Sequence, residues 1–324
     1  MLLAGLGAQN GAAQEARLFR IGTGGIAGTY FPIGGLIASA ISQPTGSRPC
    51  DQGGSCGVAG LIAAPLASNG SVANIQALQA GAVESAFAQA DVVAWAYTST
   101  GVFEGRAKAD QLRAIASLYR ESVHLVARRD ANIRSVGDLR GKRVSLDEPG
   151  SGTLIDARLI LSVFGLSEKD LTAEYLKPNS SGERLKDGSL DAFFFVGGYP
   201  APAIGALIAD RVPVQLVPID GPQITELLTR HSYFATDTIP ANAYLGLAAV
   251  ATVSIGAQWI TSAGQSDELI YGITKALWHP RNRRILDSGH IKGRLIQAHT
   301  ALSGLAIPLH PGAERFYREL GLLK

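Results

Sequence analysis

This chain is short of most features that announce a chemistry. It carries no His-Glu-x-x-His, and its six histidines (His124, His231, His279, His290, His299 and His310) are scattered without metal-helix spacing, so the common zinc-helix enzymes are excluded. No Gly-x-Ser-x-Gly elbow, Walker loop or Ser-x-x-Lys motif stands out, so nothing points to the usual serine and phosphoryl-transfer classes. A formal net charge of +2 is too weak to argue for a polyanionic partner, and Arg281-Asn-Arg-Arg284 reads as a solvated helix end. Nucleic acid is therefore not an expected partner. Beyond the N-terminus no apolar run reaches the ~18 residues that a transmembrane helix needs. Charged residues are only 17% against 46% hydrophobic, a balance that excludes a disordered chain and suits a well-buried globular one. Neither a catalytic residue set, a metal nor a cofactor is expected.

Cysteine is almost absent too. The two present, Cys50 and Cys56, flank the Gly-rich stretch Asp51-Gln-Gly-Gly-Ser55. Their spacing suits a small disulfide loop if the compartment is oxidising, with a two-ligand metal site as the alternative. Residues 1–16 include Met1-Leu-Leu-Ala-Gly-Leu-Gly-Ala8 and read as what remains of an export signal, although a basic start is missing. An extracytoplasmic, periplasmic location is the corresponding expectation.

What is present is an alternation of short apolar strands with helical stretches, the pattern of an α/β fold with parallel sheets. Strands are expected at Leu18–Ile21, Leu61–Ala64, Ala86–Gln89, Leu112–Tyr119, Val123–Ala127, Gly141–Leu146, Asp191–Val196 and Val250–Trp259. Helices are expected near Pro32–Ile41, Val72–Leu78 with Ser71 as N-cap, Ala90–Tyr97, Thr153–Phe164, Asp267–Trp278 and Ala313–Leu320. No repeat or low-complexity linker divides the chain, so two domains would be tied by extended crossovers.

Two segments carry the functional signal. Asp147-Glu-Pro-Gly-Ser-Gly-Thr153 reads as a strand end, a glycine loop and a helix start, where free N–H groups and the helix dipole favour an anion. Asp191-Ala-Phe-Phe-Phe-Val-Gly-Gly-Tyr199 reads as a buried strand stopping where a backbone can approach a small molecule. The candidate ligand-binding residues follow from these and from two other strand–helix junctions. Ser151, Gly152 and Thr153 come from the first segment; Phe195, Gly198 and Tyr199 come from the second. Thr23, Gly25, Thr29 and Tyr30 belong to the first glycine loop, Asn69 and Ser71 to a later loop, and Gln89 and Asp91 to a strand end. Gly22-Thr-Gly-Gly-Ile-Ala27 nominally fits a dinucleotide fingerprint, but the acidic residue expected about 20 positions on is missing. The glycines therefore read better as a ligand-facing loop. Glu148 is the one acid in these segments that could serve acid–base chemistry, and it stands alone.

In this order, Ile21-Gly-Thr-Gly-Gly-Ile-Ala-Gly-Thr-Tyr30, Ser71-Val-Ala-Asn74, Leu118-Tyr-Arg-Glu-Ser-Val-His-Leu-Val126, Pro149-Gly-Ser-Gly-Thr153, Asp191-Ala-Phe-Phe-Phe-Val-Gly-Gly198 and Ile307-Pro-Leu-His-Pro-Gly-Ala-Glu314 resemble the TAXI family of solute receptors of TRAP (tripartite ATP-independent periplasmic) transporters. The resemblance runs from about Phe19 to the C-terminus and departs from the family at Asn242 and Ala243. It implies a two-lobed, periplasmic-binding-protein-like (type II) α/β fold with the ligand cleft between the lobes. Residues 17–121 plus 248–324 would form one lobe and 122–247 the other. It further implies a monomeric, non-enzymatic receptor for a small organic anion, a carboxylate or acidic amino acid such as glutamate or 2-oxoglutarate, delivered to an ion-gradient-driven TRAP permease. The rival readings are a binding protein of an ATP-driven (ABC-type) importer and a bilobal enzyme such as a small dehydratase.

Overall fold

The computed structural model describes residues 16–324. The expected export segment falls almost wholly outside them. The first half of the chain begins with β1 (Arg17–Gly22), which pairs in parallel with β4 (Leu61–Leu66) and β5 (Ser85–Gln89). Residues of β5 are buried throughout, as parallel strands covered on both faces require. The connections are α1 (Tyr30–Ile41) and α2 (Ser71–Gln79), while β2 (Ser42–Gln43) and β3 (Val58–Ala59) form a short ribbon around the cysteine loop. After β5 comes α3 (Ala90–Thr98).

The next strand, β6 (Leu112–Arg128), is a single run of 17 residues and not the two strands expected from the pattern. Arg120-Glu-Ser122 breaks the apolar periodicity, but its backbone stays paired with Gly256, Ile255 and Ser254 of β12 (Val250–Ser262). Backbone pairing decides continuity here, and side-chain polarity does not. The second half then follows: β7 (Arg143–Ser145), α4 (Gly152–Val163), β8 (Thr172–Glu174), α5 (Pro178–Lys186), β9 (Ala192–Gly197), α6 (Pro202–Ala209), β10 (Val214–Leu216), α7 (Pro222–Arg230) and β11 (Ala235–Ile239). After β12, helices α8 (Asp267–Leu277), α9 (Arg283–Gly289) and α10 (Pro311–Glu319) return to the first half, with α8 and α9 packing on α1 and α10 packing on α8.

Ten strands make one sheet in the order β4-β1-β5-β12-β6-β9-β7-β8, with β10 on β6 and β11 on β12. Pairing is parallel within each half (β1 with β4 and β5, β7 with β8 and β9) and antiparallel at β5–β12, β12–β6 and β6–β9. The parallel sheets expected from the alternation are therefore interrupted at the two long strands that pass between the halves.

Each half has a core on both faces of its sheet. Phe19, Ile37, Trp259, Ile273 and Tyr317 belong to one, and Ile75, Val92 and Ile260 to its counterpart. In the second half Leu125, Val144, Ile160 and Phe194 lie on one side, and Val126, Phe193, Phe195 and Ile204 on the other. The three phenylalanines divide between the two cores because consecutive strand residues face opposite ways. Ile155 of α4 packs into a first-half core, so the halves touch. Among the described residues no helix is long and apolar enough to cross a membrane.

Candidate functional site

The cleft between the halves is built at helix N-termini. Thr29 is the N-cap of α1, Gly70 of α2, Gln89 of α3 and Ser151 of α4, and all four residues line one cavity of about 60 Å³. A water-sized group occupies roughly 10–15 Å³ on that measure, so the space takes a small ligand. The first amides of a helix have no intrahelical acceptor, and the dipole places partial positive charge at the same end. Four such ends border this one cavity and place partial positive charge around it. The α4 end is the most developed. Ser151 Oγ accepts from the Leu154 amide at 3.1 Å, leaving the Gly152 and Thr153 amides at the cavity, while Thr153 Oγ1 accepts from the Val196 amide at 3.1 Å.

Gly152 fits only as glycine. A Cβ there would stand 1.4 Å from Gln89 Oε1 and 2.9 Å from Ser71 Oγ, both on the opposite half. Gly70 is similarly close: with φ +113°, its position would bring a Cβ to 3.4 Å from Ser151 Cα. The two glycines let the α2 and α4 ends approach each other.

Hydrogen bonds across the cleft hold it closed. Thr29 Oγ1 donates to the Gly198 carbonyl at 3.0 Å, Asn69 Nδ2 to the Pro149 carbonyl at 3.0 Å, and Gln89 Nε2 to Asp156 Oδ2 at 2.7 Å. The Val72 and Ala73 amides both donate to the Gly150 carbonyl, and the Ala203 amide donates to the Ala27 carbonyl.

Charge inside the cleft is unexpected. Its lining contains Glu121, Asp147 and Glu148 and neither lysine nor arginine among the described residues. Burial pushes Glu121 up to about 8, against the pull of the Tyr30 hydroxyl, which donates to its Oε2 at 2.5 Å. Burial also raises Asp147 to about 7, although its Oδ1 accepts from the Glu148 amide. Glu148 is raised by burial as well, with Lys177 at 3.8 Å opposing. Burial thus favours the protonated forms of Glu121 and Asp147, in which a carboxyl can donate a hydrogen bond into the cavity.

Of the residues singled out in the sequence, Gly25, Thr29, Tyr30, Asn69, Ser71, Gln89, Ser151, Gly152, Thr153 and Phe195 line the cavity. Four do not. Thr23 is fully buried and donates to the Leu66 carbonyl at 2.7 Å, so it braces the loop from behind. Asp91 is fully buried at the start of α3, with Oδ1 on the Val92 amide. Gly198 contributes its carbonyl to Thr29 without lining the cavity. Tyr199 faces a separate groove, where Lys292 Nζ lies 3.9 Å over its ring. Ser71 is not an N-cap but the first helical residue, because Gly70 takes the cap; its hydroxyl accepts from the Gln89 amide at 3.1 Å.

Sequence reasoning missed Glu121, Asp147 and Gly70 as lining residues. Glu121 and Asp147 lie inside motifs already singled out, so the available signal was an acid in an otherwise apolar or Gly-rich stretch. Away from the cleft, Cys50 and Cys56 are joined by a disulfide. The fold also brings His279 Nε2 to 3.9 Å from Cys50 Sγ, a histidine that sequence spacing could not reveal. While the disulfide stands, neither sulfur is a thiolate ligand, and the metal alternative has no donor pair.

A model of the NMT1-like family matches residues 21–321, nearly the whole chain. The protein belongs to the NMT1-like family. Solved structures place this NMT1-like chain in a wider fold group. The phosphonate-complexed PhnD1 of Prochlorococcus marinus, solved with methylphosphonate, is similar at TM-score 0.55 and 8% identity over 95% of this chain and 100% of that one. A Bordetella bronchiseptica protein is similar at TM-score 0.52 and 14% identity, over 94% and 82% of the two chains. The periplasmic aliphatic sulphonate-binding protein SsuA of Escherichia coli follows at TM-score 0.44 and 14% identity, over 95% and 79%. At these identities the shared property is the fold, two α/β lobes with a cleft between them.

Proposed function

We propose that this NMT1-like protein is an extracytoplasmic, periplasmic solute receptor that captures a small organic anion between two lobes, residues 17–121 plus 248–324 and residues 122–247. The observation that carries the reading is the convergence of the α1, α2, α3 and α4 N-caps on one small cavity. The anionic group sits against the Gly152 and Thr153 amides, with the Ser71 hydroxyl beside it. Tyr30 and Phe195 supply the walls. Glu121 and Asp147 meet a polar, hydrogen-bonding part of the ligand, which favours a substituted acid such as a hydroxy or amino acid over a plain alkyl carboxylate. The role is capture and delivery, without turnover, and the released ligand passes to a membrane importer.

The importer class is the finer question. One reading is the ATP-driven one, in which the receptor serves an ABC-type importer. The motif order quoted above supports an ion-gradient TRAP permease instead. Copurification from the membrane with an ATPase complex or with a permease alone separates the two.

A thermal-shift screen of the ligand-stripped protein against carboxylates, amino acids, phosphonates, sulfonates and nucleotides tests the receptor reading. A ligand at 100 times its dissociation constant adds about 2.7 kcal/mol, enough to move the transition by a few degrees. A selective shift with one anion class supports the proposal, whereas shifts with nucleotides alone, or turnover of a bound acid, overturn it. Gly152→Val is expected to abolish the shift while each lobe stays folded, because the new side chain meets Gln89 across the cleft.

A further inference from the structure

Behind the ligand cavity lies a pair of carboxyl groups that the capture mechanism does not use. Asp91 stands in the first turn of α3 and Asp156 in α4, so they approach from opposite lobes, and both are fully buried. Each has one oxygen satisfied by an N–H: Asp91 Oδ1 by the Val92 amide at 2.7 Å, and Asp156 Oδ2 by Gln89 Nε2 at 2.7 Å. The remaining oxygens, Asp91 Oδ2 and Asp156 Oδ1, have no N–H or hydroxyl donor. Both oxygens are buried without any hydrogen-bond partner, and the Asp91 charge bears on Asp156. Two buried carboxyl oxygens that no donor reaches are poor places for negative charge, so burial favours a retained proton here.

We propose that Asp91 and Asp156 form a one-proton site across the two lobes, so that closure takes up a proton and opening releases it. In the open form the two side chains separate and are rehydrated, and each returns to the ordinary carboxylate range near 4. In the closed form burial holds both above that range, and the charge of Asp91 further opposes ionisation of Asp156. Other groups face the pair or its neighbours. Glu121 of β6 adds repulsion; it accepts from Tyr30 of α1 and feels the Lys292 ammonium. Gln89 from the end of β5 is the neutral donor. His231, following α7, meets Trp95 further along α3.

The sign follows from the raised closed-form values. Protonated carboxyls favour the closed form fully below the ordinary carboxylate range, and that contribution disappears as pH rises through the closed-form titration, about 7 for Asp91. Closure is therefore favoured in acid and opposed in alkali. The device concerns lobe closure, so it rests on the two-lobed receptor reading but not on any particular ligand.

Small-angle X-ray scattering of the full, ligand-free chain between about pH 5 and about pH 9 tests it, over a range that spans the pair's titration. The wild-type radius of gyration is expected to rise with pH as the lobes part. Asp156→Asn supplies a permanent N–H to Asp91 and keeps Oδ1 for Gln89, so this variant should lose the pair's share of the pH response and keep only the part that Glu121 and Asp147 contribute. Asp91→Asn places the donor from the other side and should do the same; circular dichroism checks that each is folded, and either one alone carries the test. Glu121→Gln removes the neighbouring acid's own share and should leave most of the pH dependence in place. A wild-type radius that does not change with pH, or amide variants that open in step with wild type, would overturn the proposal. The thermal-shift screen reads ligand capture separately, so failure of the proton site and failure of the receptor reading give different results.

Discussion

Tyr244 and His124 show how single side chains fix the second lobe next to the cleft. His124 Nδ1 faces the Ser122 carbonyl at 2.9 Å, which makes it the protonated nitrogen, so Nε2 accepts from the Tyr244 hydroxyl at 3.0 Å. That hydroxyl in turn accepts from the Ala201 amide at 3.0 Å. Burial pulls His124 down to about 4, so the ring stays neutral where most histidines titrate. Because the folded value is depressed, this group contributes stability that is whole above the ordinary histidine range near 6.5 and lost as pH falls toward about 4. Nitrogen NMR of the imidazole should therefore show the Nδ1–H tautomer unchanged down to roughly pH 5. Tyr244→Phe strands both the imidazole nitrogen and the amide, and should cost about 1–3 kcal/mol in chemical unfolding. Gly152 illustrates the opposite constraint, in which any side chain at all is excluded.

At the scale of elements, the site is a meeting of helix starts, and each helix start has its own requirement. The Ser151 hydroxyl takes the Leu154 amide, and the following Gly152 and Thr153 amides remain available to a ligand. Ser151→Ala should destabilise the second lobe by about 1 kcal/mol, read as a lower unfolding midpoint. On the proposed reading it should weaken ligand capture as well, since the α4 end loses order beside the cavity. A fall in stability with unchanged affinity would show that Ser151 serves the helix alone. The long strand β6 makes a different kind of contribution: it crosses from one lobe to the other and carries Glu121 at the crossing, against the cleft.

For the whole molecule, contact between the halves extends to the C-terminal segment. Lys292 is returned to the crossover by the short helical turn Ile291–Leu295, donates to the Arg120 carbonyl at 3.1 Å and lies over Tyr199 of the other lobe at 3.9 Å. Its stem also fills the space beside Gly198, where a Cβ would come within 2.6 Å of Lys292 Cγ. Lys292→Met keeps the stem and removes the charge. Losing a cation–π contact of about 0.5–2 kcal/mol should favour the open form and weaken capture roughly 2- to 30-fold. Scattering should then show a larger ligand-free radius, with the thermal midpoint of the separate lobes little changed.

Local chemistry in the sequence determined the strand–helix alternation, the glycine loops and the anion-ready start of α4. Those features depend on neighbours a few residues apart, through capping, turn conformation and apolar period. For the same reason Ser151, Gly152, Thr153, Thr29 and Gln89 were legible as candidates. Tertiary structure alone decided that β6 runs unbroken through a polar triplet, that Thr23 braces its loop while Tyr199 faces another groove, and that His279 stands beside the disulfide. It also decided the burial of Asp91 and Asp156, which come from different halves. A residue's spacing can show which turn or helix end it occupies, but burial, and with it the proton that a carboxyl must keep, depends on which distant segments pack against it.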